Sequence, residues 1–169
     1  MTRYILFSKT NWTETPRLRH QIALLLKRFG NEVVFFQKPR YPWQRRISEI
    51  TEPVISQRST QLIHHQLRLF EPLAAANAIA ERFSIGRLRD QLRITGNDII
   101  LNFNYDYYFL RDLFPSNKML TIINDDFVAQ SRFRKGKHAL RSLRTTCRRS
   151  DEVLVVSYPL ARQVSGSCK

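Results

Sequence analysis

The chain has 169 residues, 43 % of them hydrophobic, which is enough for one ordinary domain with a real core and too apolar for a disordered tail. With Gly 5 and Pro 7 it is neither collagen-like nor of low complexity. A formal net charge of +14 favours an anionic partner: nucleic acid, anionic lipid or a phosphorylated substrate.

Cys147 and Cys168 form neither a disulfide framework nor a metal-ligand spacing, so reduced thiols in a cytosolic protein are expected. The N-terminal "MTRYILFSKT" holds an apolar run too short for a signal peptide. No stretch reaches the ~18 apolar residues of a spanning helix, so any membrane contact is expected to be peripheral.

In chain order, "YILF" (4–7) reads as a buried first strand, followed by the polar loop "SKTNWTETP". Leu18, Ile22, Leu25, Leu26 and Phe29 recur at helical spacing, predicting a helix from Pro16 to Phe29 with Thr15 as N-cap and Gly30 as its stop. "EVVFFQ" (32–37) is a second buried strand, completing a β-α-β unit of the kind that builds parallel sheets. "KPRYPWQRRISEITEP" (38–53) reads as a surface loop, and 54–70 as a β-hairpin turning at "RST". A helix is predicted over 73–93, with Gly86 a candidate kink. The strand "DIILNFN" (98–104), a short helix ended by Pro115 and the strand "KMLTIIN" (118–124) follow. A helix over 131–149, the strand "EVLVVS" (152–157) and a last helix from Pro159 complete the pattern. Strands apolar on both faces need helices on both sides. The expected fold is therefore α/β: a Rossmann-like, doubly wound, mostly parallel sheet in a single domain over 1–169, with a hairpin insertion at 54–70.

In open α/β sheets, ligands bind at the carboxyl ends of the strands. Those loops, 8–15, 37–42, 102–106, 124–130 and 157–159, hold Thr10, Asn11, Trp12, Asn102, Asn104, Tyr105, Asp106, Asn124, Asp125, Asp126, Ser157 and Tyr158. Asn, Asp and Ser also simply favour turns and caps. The first loop lacks GxGxxG and any P-loop pattern, so no nucleotide cradle is expected there and no cofactor. Asp125 and Asp126 are adjacent; on a continuing strand they point to opposite faces and form no carboxylate dyad. His20 lies near the rim, where it is either a packing or capping residue or a proton carrier. His64, His65 and His138 are dispersed, and no metal site is expected.

Arg134, Lys137, Arg141, Arg144 and Arg148 follow one another by steps of 3 or 4 and make a continuous basic stripe. Leu140, Leu143 and Cys147 make an apolar stripe about 100° away. The helix can thus bury one side beside a cationic ridge, which either meets an anionic partner or is a solvated face.

The segment "W...TPRLRHQIALLLKRFGNEVVFFQKP" resembles the opening of GT-B glycosyltransferases of the branch with R-x-x-H-x-x-A-x-x-L before a strand and a proline loop. "IINDDF" resembles that branch's DDF or DDY strand end, and "RSDEVLVVSYPLARQ" its ADxVxxxSxxLA. The resemblance implies two Rossmann-like domains, of which this chain is the N-terminal, acceptor-binding half. It lacks the donor domain, so alone it is expected to be inactive. It also has Arg141, Arg144 and Arg148 where similar proteins often place a Glu, so a different acceptor is in view. The resemblance implies candidate catalytic residues Asp125, Asp126 and His20, and a substrate-binding set of Asn11, Trp12, Arg17, Asn102, Asn104, Tyr105 and Ser157. The implied partners are a glycan or lipid-linked acceptor and, through a missing second domain, a nucleotide sugar. The basic helix and "RYPWQRR" (40–46), with Tyr41 and Trp43 suited to an interface, would face a lipid-linked diphosphate or an anionic membrane surface at the inner side of the plasma membrane. The competing reading is a basic nucleic-acid-binding α/β module, against which no RRM, KH or helix-turn-helix pattern appears.

Overall fold

The computed structural model describes residues 1–44, 54–62, 71–126 and 133–166, without the side chains of 71–75 and 133–136. The strands are β1 (Arg3–Phe7), β2 (Glu32–Arg40), β3 (Ile55–Thr60), β4 (Ile99–Asn102), β5 (Met119–Ile123) and β6 (Glu152–Val155). The helices are α1 (Leu18–Arg28), α2 (Glu71–Gln91), α3 (Leu110–Leu113), α4 (Phe133–Arg148) and α5 (Tyr158–Val164). The strands form one 6-stranded sheet in the order β3-β2-β1-β4-β5-β6, with every pairing parallel. The order reverses between β1 and β4, which is where such folds open a crevice.

Strand alternation explains the layers. Ile5, Phe7, Val34, Phe36, Ile100 and Met119 point to one face, where Ile85 and Leu88 of α2 and Leu92 just beyond it cover them with Leu110 and Phe114. Leu6, Val33, Phe35, Leu101 and Ile122 point to the other, under Leu18, Ile22, Ala23 and Leu26 of α1. Phe7 stacks on Phe36 with ring centroids 4.4 Å apart. Burying such a side chain contributes roughly 1.5–3 kcal/mol. At the β5–β6 side, Ile123, Leu143, Cys147, Leu160 and Val164 join α4 and α5 to the sheet. The fold is thus the Rossmann-like α/β sandwich expected from the alternating pattern.

Several boundaries move for local reasons. α1 begins at Leu18 with Arg17 as N-cap, not at Pro16 with Thr15. Its stop is as expected: Gly30 has φ +77°, and the N–H of Asn31 reaches back to the Leu26 carbonyl. β2 continues past Gln37 through Pro39, with a shift of register between Gln37 and Arg40. Proline has no N–H for the ladder, which fits a bulge at this point. The expected hairpin is corrected too. Arg58–Thr60 do not turn; they lie inside β3, parallel to β2. Its return arm falls at 63–70, outside the described residues, as does Cys168. α2 runs unbroken through Gly86. No described helix is long and apolar enough to cross a membrane.

Candidate functional site at the carboxyl ends of the strands

The loops after β1, β4 and β5 meet at the reversal of strand order. Lys9 bridges two of them: its ammonium lies 2.5 Å and 2.6 Å from the Asp106 carboxylate oxygens and 4.8 Å from the Tyr107 ring centre. The β1 loop is also held from α1. The Nε2 of His20 donates to the Asn11 carbonyl (3.0 Å) and its Nδ1 accepts from the Arg17 N–H (3.0 Å). The ring stacks on Phe35 and is buried. Both ring nitrogens are therefore occupied by backbone groups, so in this arrangement His20 anchors the loop.

The other predicted site residues separate into fasteners and open groups. Trp12 packs edge-on against Phe35, and its backbone N–H binds the Gln37 carbonyl oxygen at 2.8 Å. Asn102 is fully buried; its amide holds the 102–104 turn through the Asn104 N–H (2.9 Å) and carbonyl (3.0 Å). The Asn102 amide is spent on its turn, because the same polar groups that suit a rim also close turns, whereas Trp12 bonds through its backbone and keeps a partly exposed indole. Tyr105 packs beside Ile123 and Leu143, and its carbonyl accepts from Thr146. Arg17 and Ser157 are exposed, at the N-caps of α1 and α5, without a side-chain cap bond.

Asp125 and Asp126 diverge, as adjacent residues leaving a strand should. Asp125 faces Arg19 of α1 at 3.7 Å, while Asp126 accepts from Gln163 of α5 at 3.1 Å. They form no dyad. Arg19 is the residue that sequence reasoning missed; its neighbour Arg17 was singled out instead. Arg19 is only 5 % exposed, and its Nε has no hydrogen-bond partner. Burial lowers its pKa, with the Asp125 charge opposing; an arginine stays protonated all the same. Its signal was legible in principle. On the α1 wheel it shares the side of Ile22, Ala23 and Leu26, where a charge is out of place.

Arg19 Nε is not alone. Asn11 Oδ1, Asn104 Nδ2, Asn124 Oδ1 and Gln163 Oε1, all in the carboxyl-end loops or α5, are also buried without a hydrogen-bond partner. Buried polar atoms are normally satisfied. Arg3 Nε and Ser56 Oγ, away from this rim, are unbonded as well, so the carboxyl ends hold several of these atoms but not all of them.

The basic helix behaves as its periodicity implies. Leu143 and Cys147 of the apolar stripe are buried with Ala139, and Leu140 is half-buried, whereas Lys137, Arg141, Arg144 and Arg148 are exposed and in no ion pair with any described residue. The side chain of Arg134 lies outside the described residues. Trp43 is 73 % exposed and stacks flat on Tyr41, ring centroids 4.8 Å apart. Among the described residues no group of three His, Cys, Asp or Glu could hold a metal ion.

No sequence-family model matches the chain, and no curated protein matches it by sequence. A match in three dimensions exists. A crystal structure of a UGT transferase from Siraitia grosvenorii in complex with UDP superposes with a TM-score of 0.55 at 14% identity. The match covers 98% of this chain and 47% of that one. The chain has a glycosyltransferase-like fold. It spans about half the length of the enzyme it resembles.

Proposed function

We propose that this chain is the N-terminal, acceptor-binding domain of a two-domain GT-B glycosyltransferase. The full enzyme would move a sugar from a nucleotide-sugar donor to a lipid-linked or polysaccharide acceptor at an anionic membrane face. The observation that carries this reading is the cluster of buried, unbonded polar atoms at the carboxyl ends of the sheet. Sugars present many hydroxyls, each a donor and an acceptor, and a rim of carboxamides and carboxylates suits them. In this reading Asp125, 37% exposed on its side chain, orients an acceptor hydroxyl. Asp126 is steered away by Gln163 and shapes the wall. His20 and Lys9 keep the β1 loop in place without touching the acceptor. The donor would be held by a second half, as the matched share of the UDP-bound enzyme suggests.

The test is sugar binding by the purified chain, followed by ligand-observed NMR with neutral glycosides. Binding that weakens in Asp125→Ala is expected, with no turnover of nucleotide sugar by this chain alone. Failure of every glycoside, together with retention of DNA or RNA on filters, would move the reading to a basic nucleic-acid module. The membrane part has its own test. Anionic liposomes at low salt should retain the chain and neutral ones should not, because the exposed ridge is screened within about 8 Å at physiological salt. Replacing Arg141, Arg144 and Arg148 by Gln should weaken that binding by about 1 kcal/mol per residue and leave the melt within about 0.5 kcal/mol.

A further inference from the structure

The Arg19 guanidinium is a buried charge with few bonds. It sits in the first turn of α1, is 5 % exposed, and has an unbonded Nε. Among the described residues its one ionic neighbour at salt-bridge distance, Asp125, stands at 3.7 Å, beyond a good charge-assisted hydrogen bond. The helix end around it is positive as well. α1 has no acid in its first turn; the His20 ring takes the Arg17 N–H, so no anionic cap offsets the axial dipole, which adds to the guanidinium. Glu14, the other acid near this turn, is engaged by the N–H and amide of Asn11. A buried fork of N–H donors in the first turn of a helix, with its nearest carboxylate only at 3.7 Å, is matched in charge and shape by an oxyanion.

We propose that Arg19 seats an oxyanion carried by the acceptor, a phosphate ester or a carboxylate on the sugar, which enters between Arg19 and Asp125. The inference rests on the glycan reading of the rim and narrows it to anionic acceptors. Asp125 competes for the same guanidinium, so it swings aside when the anion arrives. A neutral sugar would leave Arg19 as under-bonded as before.

The experiment titrates the purified chain with a hexose, the matching hexuronate, the matching hexose 6-phosphate and inorganic phosphate. At least one anionic sugar should bind about tenfold tighter than the hexose, the factor expected of one hydrogen bond to a charged group. Whichever anionic sugar wins tells carboxylate from phosphate. Arg19→Gln should abolish the preference, and Arg19→Lys, which keeps the charge but loses the fork, should retain part of it. Asp125→Asn should tighten the anionic sugar while weakening the hexose, a readout that leaves Arg19 intact should Arg19→Gln not fold. Equal affinity for anionic and neutral sugars, or a preference that survives in folded Arg19→Gln, overturns the inference and leaves the glycan reading standing. Phosphate binding lost in Arg19→Gln, with no hexose or hexuronate bound, upholds the anion seat and sinks the glycan reading.

Discussion

At the amino ends of β4, β5 and β6, polar side chains close on one another; at the carboxyl ends of β1, β4 and β5, they stop short. Asp98 accepts from Arg3 at 2.5 Å and from the Thr95 N–H at 2.7 Å. Asn117 donates to the carbonyls of Thr95 (2.6 Å) and Asp98 (2.7 Å). Arg111 ties the Arg149 and Asn117 carbonyls to the Asp151 carboxylate, which also takes the Met119 N–H. The one unbonded buried atom of this network is Nε of Arg3, whose NH1 and NH2 are both bonded. The opposite end leaves Asn11, Arg19, Asn104, Asn124 and Gln163 each with an unbonded atom. One end of the sheet is stitched for stability. The other keeps polar capacity in reserve, as a binding rim must.

If that division is right, single changes should sort by the end they touch. Asp98→Ala should cost the most, about 3 kcal/mol, because it removes a buried carboxylate from the partly buried Arg3 guanidinium and from the Thr95 N–H. A melt would read it, with glycoside affinity of the folded fraction unchanged; a lost affinity would blur the comparison. His20→Ala comes next, at about 2 kcal/mol, from two backbone links and a ring stacked on Phe35. It is the exception that sharpens the contrast: a carboxyl-end residue working as a fastener. It should lower the melt and raise amide exchange in the β1 loop together.

Asp151→Asn should cost about 1 kcal/mol at neutral pH, since the carboxylate is half exposed and its pairing is screened. Here pH gives the sign. Burial acts to raise the Asp151 pKa, but the bonds from Arg111 and the Met119 N–H prevail and hold it below its ordinary value. A depressed folded pKa means stability that is full above the ordinary aspartate range and lost as pH falls through the folded value. The gap between wild type and Asp151→Asn should therefore be constant above about pH 5 and close on acidification. A gap that widened in acid would contradict the assignment. Smallest in stability is Asn124→Ala, within about 0.5 kcal/mol of wild type or slightly stabilising, since a buried unbonded carbonyl oxygen is removed. Its effect should appear in glycoside affinity alone.

Much of this was legible along the chain, and the illegible parts share a cause. "YILF", "EVVFF" and "KMLTII" announce buried strands because a parallel sheet covered on both faces needs apolar residues at every position. The stripe of Leu143 and Cys147 beside Lys137, Arg141, Arg144 and Arg148 announces the two sides of α4, because helical period alone sorts them. "ISQRST" hides its strand: β3 lies at an edge, and its ladder with β2 supplies the stability that its own side chains do not.

Local periodicity thus determined the α/β class, the carboxyl-end rim and the exposed basic ridge, for these follow from contacts between near neighbours in sequence. Which rim residues hold turns and which stay open was decided only by tertiary structure. Asn102 and Asn104 look alike in sequence, yet one amide is consumed by the turn and the other keeps an unbonded nitrogen. Arg17 and Arg19 sit two apart on one helix, and only packing of α1 against the sheet turns the second inward to meet Asp125 across more than a hundred residues. Hydrogen-bond satisfaction is a property of partners brought together by the fold, and no spacing along the chain encodes it.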